Sequence, residues 1–524
     1  MGRFANQVLL PLCVLGVLVC VRGATSFRQA WFEGDDISIA AGVGALLNDN
    51  CGDDYRYEVQ PGYYRLVQGA VLVLGGSVGD IPEVMFALSA LAGAWICVLA
   101  LFAFPKTFTQ TQRWVLLGIL FANPILWVSS QYGNSALPSS ALGATCVVLL
   151  TREVGRRLEI LALLCWASAA LIRADAVLLA PVVGFLLWRR HGLLGMVLRG
   201  ALVGVVVGGV YGALIALDPR MGDPFDAVGA HVLGEEVRSH FWSYLLWAMA
   251  PLPLAFAAAG MFSLLVRRDG TLVALLLWVL PVAGFYFTST TTPRYFLLAT
   301  FPMGALASVA VIAAHRAARG VGPRVAAMAL VGLLGAHLLV AFGHRDETKG
   351  WKSWFADATV ATDDGPMPTG WLLLHGYRNL RQRLAEPAFL GANGFAREVE
   401  QELAGLLEGG GPGRIFFVLG GFPTVSFHYH AQRMGGVYLS RAEAPAFGGE
   451  TRITFGDTTV ITSAYRWGDF ERFEQLPLEA GDRLWVSRDV PNRKVMERLP
   501  EGLGVRPEPD LASPLVRRYT LVRK

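Results

Sequence analysis

Long apolar runs alternate with short charged stretches over the first two thirds of the 524-residue chain. A helix of ~20 apolar residues is long enough to cross ~30 Å of hydrocarbon. Composition agrees, because 53% of the residues are apolar, 16% are charged and the mean hydropathy is +0.44. These values exclude an ordinary soluble domain. The pattern predicts about eleven transmembrane helices, at Val8–Val21, Ile81–Phe104, Trp114–Ser130, Ser135–Leu150, Ile160–Ile172, Val177–Trp188, Leu193–Leu217, Phe241–Val266, Thr271–Ser289, Leu297–Ala314 and Val325–Gly343.

Charge predicts the orientation of these helices. Basic side chains gather in alternate loops that hold few acids, at Arg3, Lys106, Arg113, Arg152, Arg156, Arg157, Arg189, Arg190, Arg267, Arg268, Arg316, Arg319 and Arg324. Acids gather in the other loops, at Glu33, Asp35, Asp36, Asp49, Asp53, Asp54, Glu58, Asp218, Asp223, Asp226, Glu235 and Glu236. Because basic loops stay in the cytoplasm, we expect a multi-pass protein of the cytoplasmic (inner) membrane with a cytoplasmic amino terminus.

After Gly343 the long apolar runs stop, so residues 1–343 are expected to form the membrane domain and 344–524 an extracytoplasmic domain. Strand-like runs separated by turn residues predict a small α/β fold for this second domain. The runs are Arg414–Leu419, Val437–Leu439, Thr458–Thr462, Arg483–Val486 and Arg518–Val522.

Three segments of the membrane domain depart from the simple pattern. Arg65–Gly76 is too short to span and would break the charge alternation, so we expect an interfacial helix. The helices on either side of Arg173-Ala174-Asp175 are also short, and their basic flanks predict a broken pair that meets at this charged turn. The first run could alternatively be a signal peptide that ends near Gly23-Ala24.

The first outer loop, 22–80, carries the residues best suited to chemistry. Asp35 and Asp36 open a segment with the spacing of an amphipathic helix, where either carboxylate could cap the helix or act as a general base at the membrane surface. Asp53-Asp54 is a rival acidic pair, although its neighbours Gly52 and Tyr55-Arg56 are more typical of a polar turn.

Three motifs stand out in the membrane domain: the acidic pair followed by Gln60–Tyr64, the broken helix pair Leu171–Pro181, and Thr292–Pro302. Together they resemble the GT-C superfamily of integral-membrane glycosyltransferases, in the branch of the family 39 protein mannosyltransferases and the lipid A aminoarabinose transferases. The first combines the acidic pair in the first loop with Gln60-Pro61-Gly62-Tyr63-Tyr64, which is similar to the family's His/Lys-Pro-Pro-Leu-Tyr-Tyr element but departs from it at Gln60 and Gly62. The second is the broken helix pair Leu171–Pro181, and the third is Thr292–Pro302 with its Arg-Tyr pair. The resemblance covers roughly the membrane half of the chain, and its motifs have moderate specificity together.

The resemblance implies a GT-C-like fold and transfer of a sugar from a polyprenyl-phosphate donor to a protein, lipid or glycan acceptor on the outer face. Asp35 or Asp36 would take the acceptor's proton in an inverting single displacement. The donor's phosphate needs cations, and a guanidinium can hold two phosphate oxygens. The candidate substrate-binding residues are Arg294, Tyr295, Arg173, Asp175, Tyr63, Tyr64, Arg65 and Arg56. Arg173 and Asp175 could instead form a buried ion pair, and Arg294 could simply extend to the interface.

No cofactor is required on this interpretation, and no metal is predicted, although acidic loop residues leave a divalent cation possible. The expected partners are membrane lipid, donor and acceptor, without nucleic acid. A transporter of a lipid-linked or small polar solute is the alternative, since carriers also have broken helices and buried charges. A scaffold or receptor is a third alternative, but it would leave the first-loop aspartates and Arg294 unexplained.

Overall fold

A computed structural model describes most of the helical part of the chain and part of the carboxy-terminal region. The described residues are 10–26, 34–47, 60–130, 133, 135–152, 155–217, 241, 245, 248–249, 251–288, 293–317, 359–362, 365–368, 413–420, 437–438, 451–466, 469–470, 473, 476–487, 490–508 and 516–524, some of them as backbone alone. The predicted helix Val325–Gly343 and the outer loop Asp218–Ser243, apart from Phe241, lie outside these residues.

The chain forms two compact units. The first contains Met1–Gln29, Glu58–Tyr63 and Phe86–Phe389, and the second contains Ala30–Tyr57, Tyr64–Met85 and Leu390–Lys524. The described α-helices are α1 Leu10–Ser26, α2 Gly34–Leu47, α3 Pro61–Val73, α4 Ile81–Leu99, α5 Gln110–Phe121, α6 Pro124–Ser129, α7 Ala136–Leu150, α8 Arg156–Ile172, α9 Ala180–Leu217, α10 Pro251–Val266, α11 Gly270–Thr288, α12 Leu297–Ala317 and α13 Asn492–Glu497.

Four helical segments within the described residues are long and apolar enough to cross a membrane. They are Val78–Phe102, Ala174–Leu217, Gly270–Thr288 and Leu297–Arg316. Shorter apolar helices occur at Leu10–Cys20, Ala136–Leu150 and Leu252–Val266. The protein is therefore a polytopic helical membrane protein, as the sequence predicts, while the number of about eleven crossings and their orientation stay predictions.

The longest helix, α9, is divided at Gly192. The backbone there has φ 72° and ψ −179°, outside the helical region and in a range that glycine adopts without a Cβ clash. The charged residues Arg189–His191 immediately precede this break. The predicted separation of Val177–Trp188 from Leu193–Leu217 is therefore confirmed.

The prediction of a single helix over Trp114–Ser130 was wrong. The chain forms α5 and α6 instead, with Asn123 between them. The cause is Pro124, the first residue of α6, because proline disfavours helical backbone at the preceding residue and lacks an N–H. Asn123 is 3% exposed, and its Oδ1 accepts from the Leu126 N–H at 3.1 Å while its Nδ2 donates to the Ala248 carbonyl at 3.3 Å. The side chain thus satisfies polar groups that the break creates.

The predicted broken pair around Arg173 is confirmed. Helix α8 ends at Ile172, Arg173 is extended (φ −152°, ψ 126°), and a 3₁₀ helix over Ala174–Leu179 leads into α9. Trp166 Nε1 donates to the Ala176 carbonyl at 3.0 Å, which ties α8 to the 3₁₀ segment beyond the turn. The turn is thereby held in one conformation.

Helix α2 forms where the sequence predicts a helix, but its expected amphipathicity was wrong. Residues 39–46 are all buried, including Ile39 and Val43 at 2% and 0% exposure. Small residues on several sides, such as Ala40, Ala41 and Ala45, allow this close packing around the helix.

The second unit contains a mixed sheet in which strands run in the order β4-β5-β6-β3-β8-β10-β9, with β7 paired to β6. Its strands are β3 Gly413–Gly420, β4 Val437–Tyr438, β5 Thr451–Phe455, β6 Thr458–Arg466, β7 Asp469–Phe470, β8 Arg483–Ser487, β9 Leu503–Pro507 and β10 Val516–Arg523. A separate hairpin, in the first unit, pairs β1 Thr359–Thr362 with β2 Gly365–Pro368. The central strand β3 pairs in parallel with β6 and β8, and the other pairings are antiparallel. All five predicted strands are present, and the sequence prediction missed β1, β2, β5, β7 and β9.

Candidate active site

Arg173 and Asp175 form an ion pair at the turn between α8 and α9. Arg173 Nε donates to Asp175 Oδ1 and Oδ2 at 3.1 Å each, and Nη2 donates to Oδ2 at 2.8 Å. Their side chains are 18% and 12% exposed. The ion-pair interpretation is thus confirmed, and most of the guanidinium charge is neutralised within the protein.

Two tyrosines complete one side of this ion pair. Tyr286 of α11 donates its hydroxyl hydrogen to Asp175 Oδ2 at 2.6 Å. Its ring stacks on Tyr295, with centroids 5.2 Å apart and an interplanar angle of 23°. The Arg173 guanidinium carbon lies 5.1 Å from the Tyr295 ring centroid, within range of a cation–π interaction. The turn at Arg173 is therefore connected to the segment that carries Arg294 and Tyr295.

Gln60 and Ser135 extend the polar network on the other side of Arg173. Ser135 Oγ donates to Gln60 Oε1 at 2.5 Å, and Arg173 Nη1 lies 3.5 Å from Ser135 Oγ, at the limit of hydrogen bonding. Gln60 and Ser135 are 4% and 1% exposed. A neutral amide can accept the serine hydrogen here without placing a second positive charge beside Arg173. The departure from the family's basic residue therefore suits this network.

The second departure, Gly62, lies against the backbone that precedes Arg173. A Cβ at residue 62 would be 2.7 Å from the Leu171 carbonyl carbon and oxygen and 2.9 Å from the Ile172 nitrogen. These distances are shorter than real Cβ contacts, and backbone cannot yield as a flexible side chain does. The family's second proline would carry such a Cβ, so glycine is required for this approach of α3 to α8.

The other sequence-predicted residues occupy different environments. Tyr63 and Tyr64 on α3 are 0% and 1% exposed. Arg65 is exposed, and its Nη1 donates to Gln68 Oε1 at 3.0 Å. Arg294 lies in the 3₁₀ segment Pro293–Phe296, where only its backbone is described.

The candidate bases are described only in part. Asp35 and Asp36 are the second and third residues of α2, in the first turn, and only their backbone is described. Carboxylates in a first turn interact favourably with the helix dipole. Arg56 and the rival pair Asp53-Asp54 lie outside the described residues.

Sequence reasoning missed Tyr286 and Ser135. Both have a polar group in an apolar stretch, Phe285-Tyr286-Phe287 in one case and the start of α7 in the other. A polar side chain in an apolar stretch needs a hydrogen-bond partner, and this requirement could have indicated both residues. The identity of the partner depends on the fold, because Asp175 is 111 residues away from Tyr286 along the chain.

No metal site is evident in the part of the chain that the structure describes. No group of three or more histidine, cysteine, aspartate or glutamate side chains there could hold a metal ion. The described network around Arg173 therefore consists of one carboxylate, one guanidinium and neutral donors and acceptors.

Comparison with solved structures extends over nearly the whole chain. ArnT from Cupriavidus metallidurans bound to undecaprenyl phosphate has a TM-score of 0.59 at 14% identity, with 98% of each chain covered. The apo state of the same protein gives 0.60 at the same identity and coverage. This chain has the fold of ArnT. The fold expected from the three sequence motifs is thus confirmed.

A second protein of known structure is similar over less of the chain. The oligosaccharyltransferase of Archaeoglobus fulgidus, in complex with Zn and sulfate, has a TM-score of 0.47 at 11% identity and covers 80% of this chain and 61% of its own. No family model and no curated protein sequence matches the chain. The fold that this chain shares with ArnT is thus found at 14% sequence identity.

Proposed function

We propose that this protein is a glycosyltransferase that uses a polyprenyl-phosphate-linked sugar and acts on a protein, lipid or glycan acceptor at the outer face of the cytoplasmic membrane. The observation that carries the proposal is the similarity to ArnT over 98% of both chains, in one case in complex with undecaprenyl phosphate. The long apolar helices support the proposal, because a polyprenyl chain lies in the hydrocarbon layer that such helices can cross.

Arg294 is the residue that we assign to the donor phosphate. Arg173 is held by Asp175 and Ser135, so its charge is already neutralised in large part. Arg294 follows Pro293 and precedes Tyr295, whose ring lies between Tyr286 and Arg173. In this proposal Arg173 and Asp175 position the 293–296 segment, and Arg294 binds the phosphate oxygens.

Asp35 or Asp36 is the proposed general base. The carboxylate accepts the proton of the acceptor hydroxyl while the hydroxyl oxygen bonds to the anomeric carbon. At the same time the bond from that carbon to the phosphate oxygen breaks. The phosphate leaves with the bonding electron pair, and Arg294 stabilises its charge. A single displacement inverts the anomeric centre. Tyr63, Tyr64, Arg65 and Arg56 stay candidate substrate-binding residues.

The test combines lipid analysis with base substitutions. Purified full-length protein should retain polyprenyl phosphate detectable by mass spectrometry, and cells carrying Asp35→Asn/Asp36→Asn should lose a surface glycan at normal protein abundance. Asp457→Asn is the matched control, since Asp457 is exposed at the turn between β5 and β6. Intact glycan with lost solute uptake would instead favour a transporter.

A further inference from the structure

A cavity of about 450 Å³ lies within the first unit, away from the Arg173 network. It is bounded by the segment after α4, the end of α7, the first half of α9 and the start of α11. Four basic residues line it, Lys106, Arg152, Arg189 and Arg190, and one carboxylate, Asp269. All four basic residues belong to loops that the charge pattern places in the cytoplasm.

Two of the four basic side chains, Arg152 and Arg189, have no carboxylate partner among the described residues. Arg190 Nη1 donates to Glu159 Oε2 at 3.2 Å, and its Nη2 donates to the Arg152 carbonyl. The Asp269 carboxylate accepts from the Thr271 N–H at 2.8 Å and thereby caps α11. Within the described residues, no carboxylate forms an ion pair with Arg152 or Arg189.

Arg152 and Arg189 are instead held by aromatic rings. The Arg152 guanidinium carbon lies 5.3 Å from the Phe102 ring centroid, and that of Arg189 lies 5.8 Å from the Phe185 ring centroid. Such contacts fix a guanidinium while leaving its N–H groups available. Both guanidinium groups therefore face the cavity with N–H groups available to contact an anion.

Apolar side chains form a second part of the cavity wall, beside the hydroxyl groups of Thr107, Thr151 and Thr271. Phe104, Leu150, Phe185, Leu186 and Ala274 face the same space as the basic residues. A small inorganic anion would leave this apolar surface uncovered, whereas an amphiphile would satisfy both parts of the wall. Basic pockets between membrane helices on the cytoplasmic side suit anionic lipid head groups.

We propose that this cavity binds the phosphate group of an acidic membrane phospholipid. Arg152, Arg189 and Lys106 contact the phosphate oxygens, and the apolar wall contacts the glycerol and the first acyl carbons. The site is separate from the proposed sugar-transfer site and does not depend on that proposal.

Native mass spectrometry of the full-length protein in detergent tests the site. The protein is titrated with phosphatidylglycerol, with phosphatidylcholine as the zwitterionic probe and inorganic phosphate as competitor. The variant is Lys106→Gln/Arg152→Gln/Arg189→Gln, which spares Arg190 because that residue bridges Glu159 and the Arg152 carbonyl. The control Arg156→Gln/Arg157→Gln/Arg316→Gln removes the same charge from exposed arginines outside the cavity.

We expect the wild type and the control to bind phosphatidylglycerol in preference to phosphatidylcholine, and the cavity variant to bind it at least ten times more weakly. Equal retention of the two lipids by the wild type would overturn the proposal, as would equal weakening in the cavity variant and the control. Displacement of the lipid by millimolar inorganic phosphate would assign the site to a soluble phosphate and would also overturn it. The thermal unfolding profile of each variant shows whether it is folded.

Discussion

The Tyr286 hydroxyl lies 2.6 Å from the Asp175 carboxylate and adds a hydrogen bond to the Arg173–Asp175 ion pair. Asp175 also accepts from Arg173, so a single carboxylate connects the α8–α9 turn with α11. The stacking of Tyr286 on Tyr295 extends this connection to the segment that carries Arg294. One hydroxyl thus contributes both to stability and to the position of the proposed phosphate-binding residue.

Tyr286→Phe should destabilise the protein by about 1 to 2 kcal/mol, because it removes a hydrogen bond to a charged acceptor in a site with little water. Tyr211→Phe is a matched control, since the Tyr211 hydroxyl is buried without a hydrogen-bond partner among the described residues. Thermal unfolding in detergent should show a lower Tm for the first variant and an unchanged or higher one for the second. Equal Tm values would contradict a stabilising role for the Tyr286 hydroxyl.

Gly62→Ala should be destabilising although alanine is the better helix former. The added Cβ would be 2.7 Å from the Leu171 backbone, and overpacking of this kind costs about 1 to 3 kcal/mol. Gly69→Ala on the same helix is the control, because no atom lies within 4 Å of a Cβ there. That change should be neutral or stabilising by up to about 1 kcal/mol. Thermal unfolding of the two variants measures the difference, and a stable Gly62→Ala protein would refute the close approach.

Arg294→Gln should weaken use of the lipid-linked donor, since it removes a charge-assisted contact to phosphate worth about 1.5 to 3 kcal/mol. That corresponds to a rise of roughly ten- to hundredfold in the KM for the donor. Arg294→Lys should recover part of the loss because it restores the charge without the two-pronged geometry. Arg316→Gln, at an exposed arginine near the end of α12, should leave the KM unchanged. A donor KM that is insensitive to Arg294→Gln would remove this residue from the site.

A second buried carboxylate, Glu159, holds three basic side chains near the break in α9. Arg199 Nε donates to its Oε1 at 2.5 Å, and His191 Nε2 and Arg190 Nη1 lie 2.7 Å and 3.2 Å from its Oε2. Burial by itself would raise the pKa of Glu159, but hydrogen bonds from Arg199, His191 and Arg190 outweigh it and lower the pKa to about 2. The carboxylate is therefore more stable as an anion in the folded protein than in the unfolded chain.

Glu159→Gln should lower the stability by roughly 3 kcal/mol at about pH 7, the size expected from that pKa difference. Because the folded pKa lies below the unfolded value, the contribution is fully present above about pH 4.5 and is lost as the pH falls toward 2. The Tm difference between wild type and variant should shrink at about pH 3.5. Glu497→Gln breaks an exposed pair with Arg493 and should cost little at either pH. A difference that grows on acidification would contradict the assignment.

Much of the architecture can be predicted from sequence because apolar length and turn residues determine it locally. The charged turn at Arg173, the break near Gly192 and the strand over Arg414–Leu419 all have such local signals, and all are present. The break between α5 and α6 could be predicted from Asn123-Pro124, because a residue before proline seldom continues a helix. Counting apolar residues alone missed it. The hairpin of β5 and β6 also has a local sequence signal, because Gly456-Asp457 separates two strand-like runs. Gly456 has φ 56° in the structure.

The candidate site was harder to predict because it depends on contacts between distant segments. Arg173 and Asp175 are close together in sequence, so the possibility of an ion pair between them is visible from the sequence alone. The Ser135 contact with Gln60 and the Leu171 contact with Gly62 join residues far apart, and nothing local specifies them. The motif departures at Gln60 and Gly62 are explained only when those partners are known.

The order of strands gives β10 a particular importance. Strand β10 pairs with β8 on one edge and β9 on the other, and among the described strands β9 has no further neighbour. Translation therefore completes β9 before the strand that connects it to the sheet has been made. A stop codon or frameshift ahead of Val516 would remove β10, leave β9 unattached and expose an edge of β8, so it should be as damaging as a deletion within the sheet.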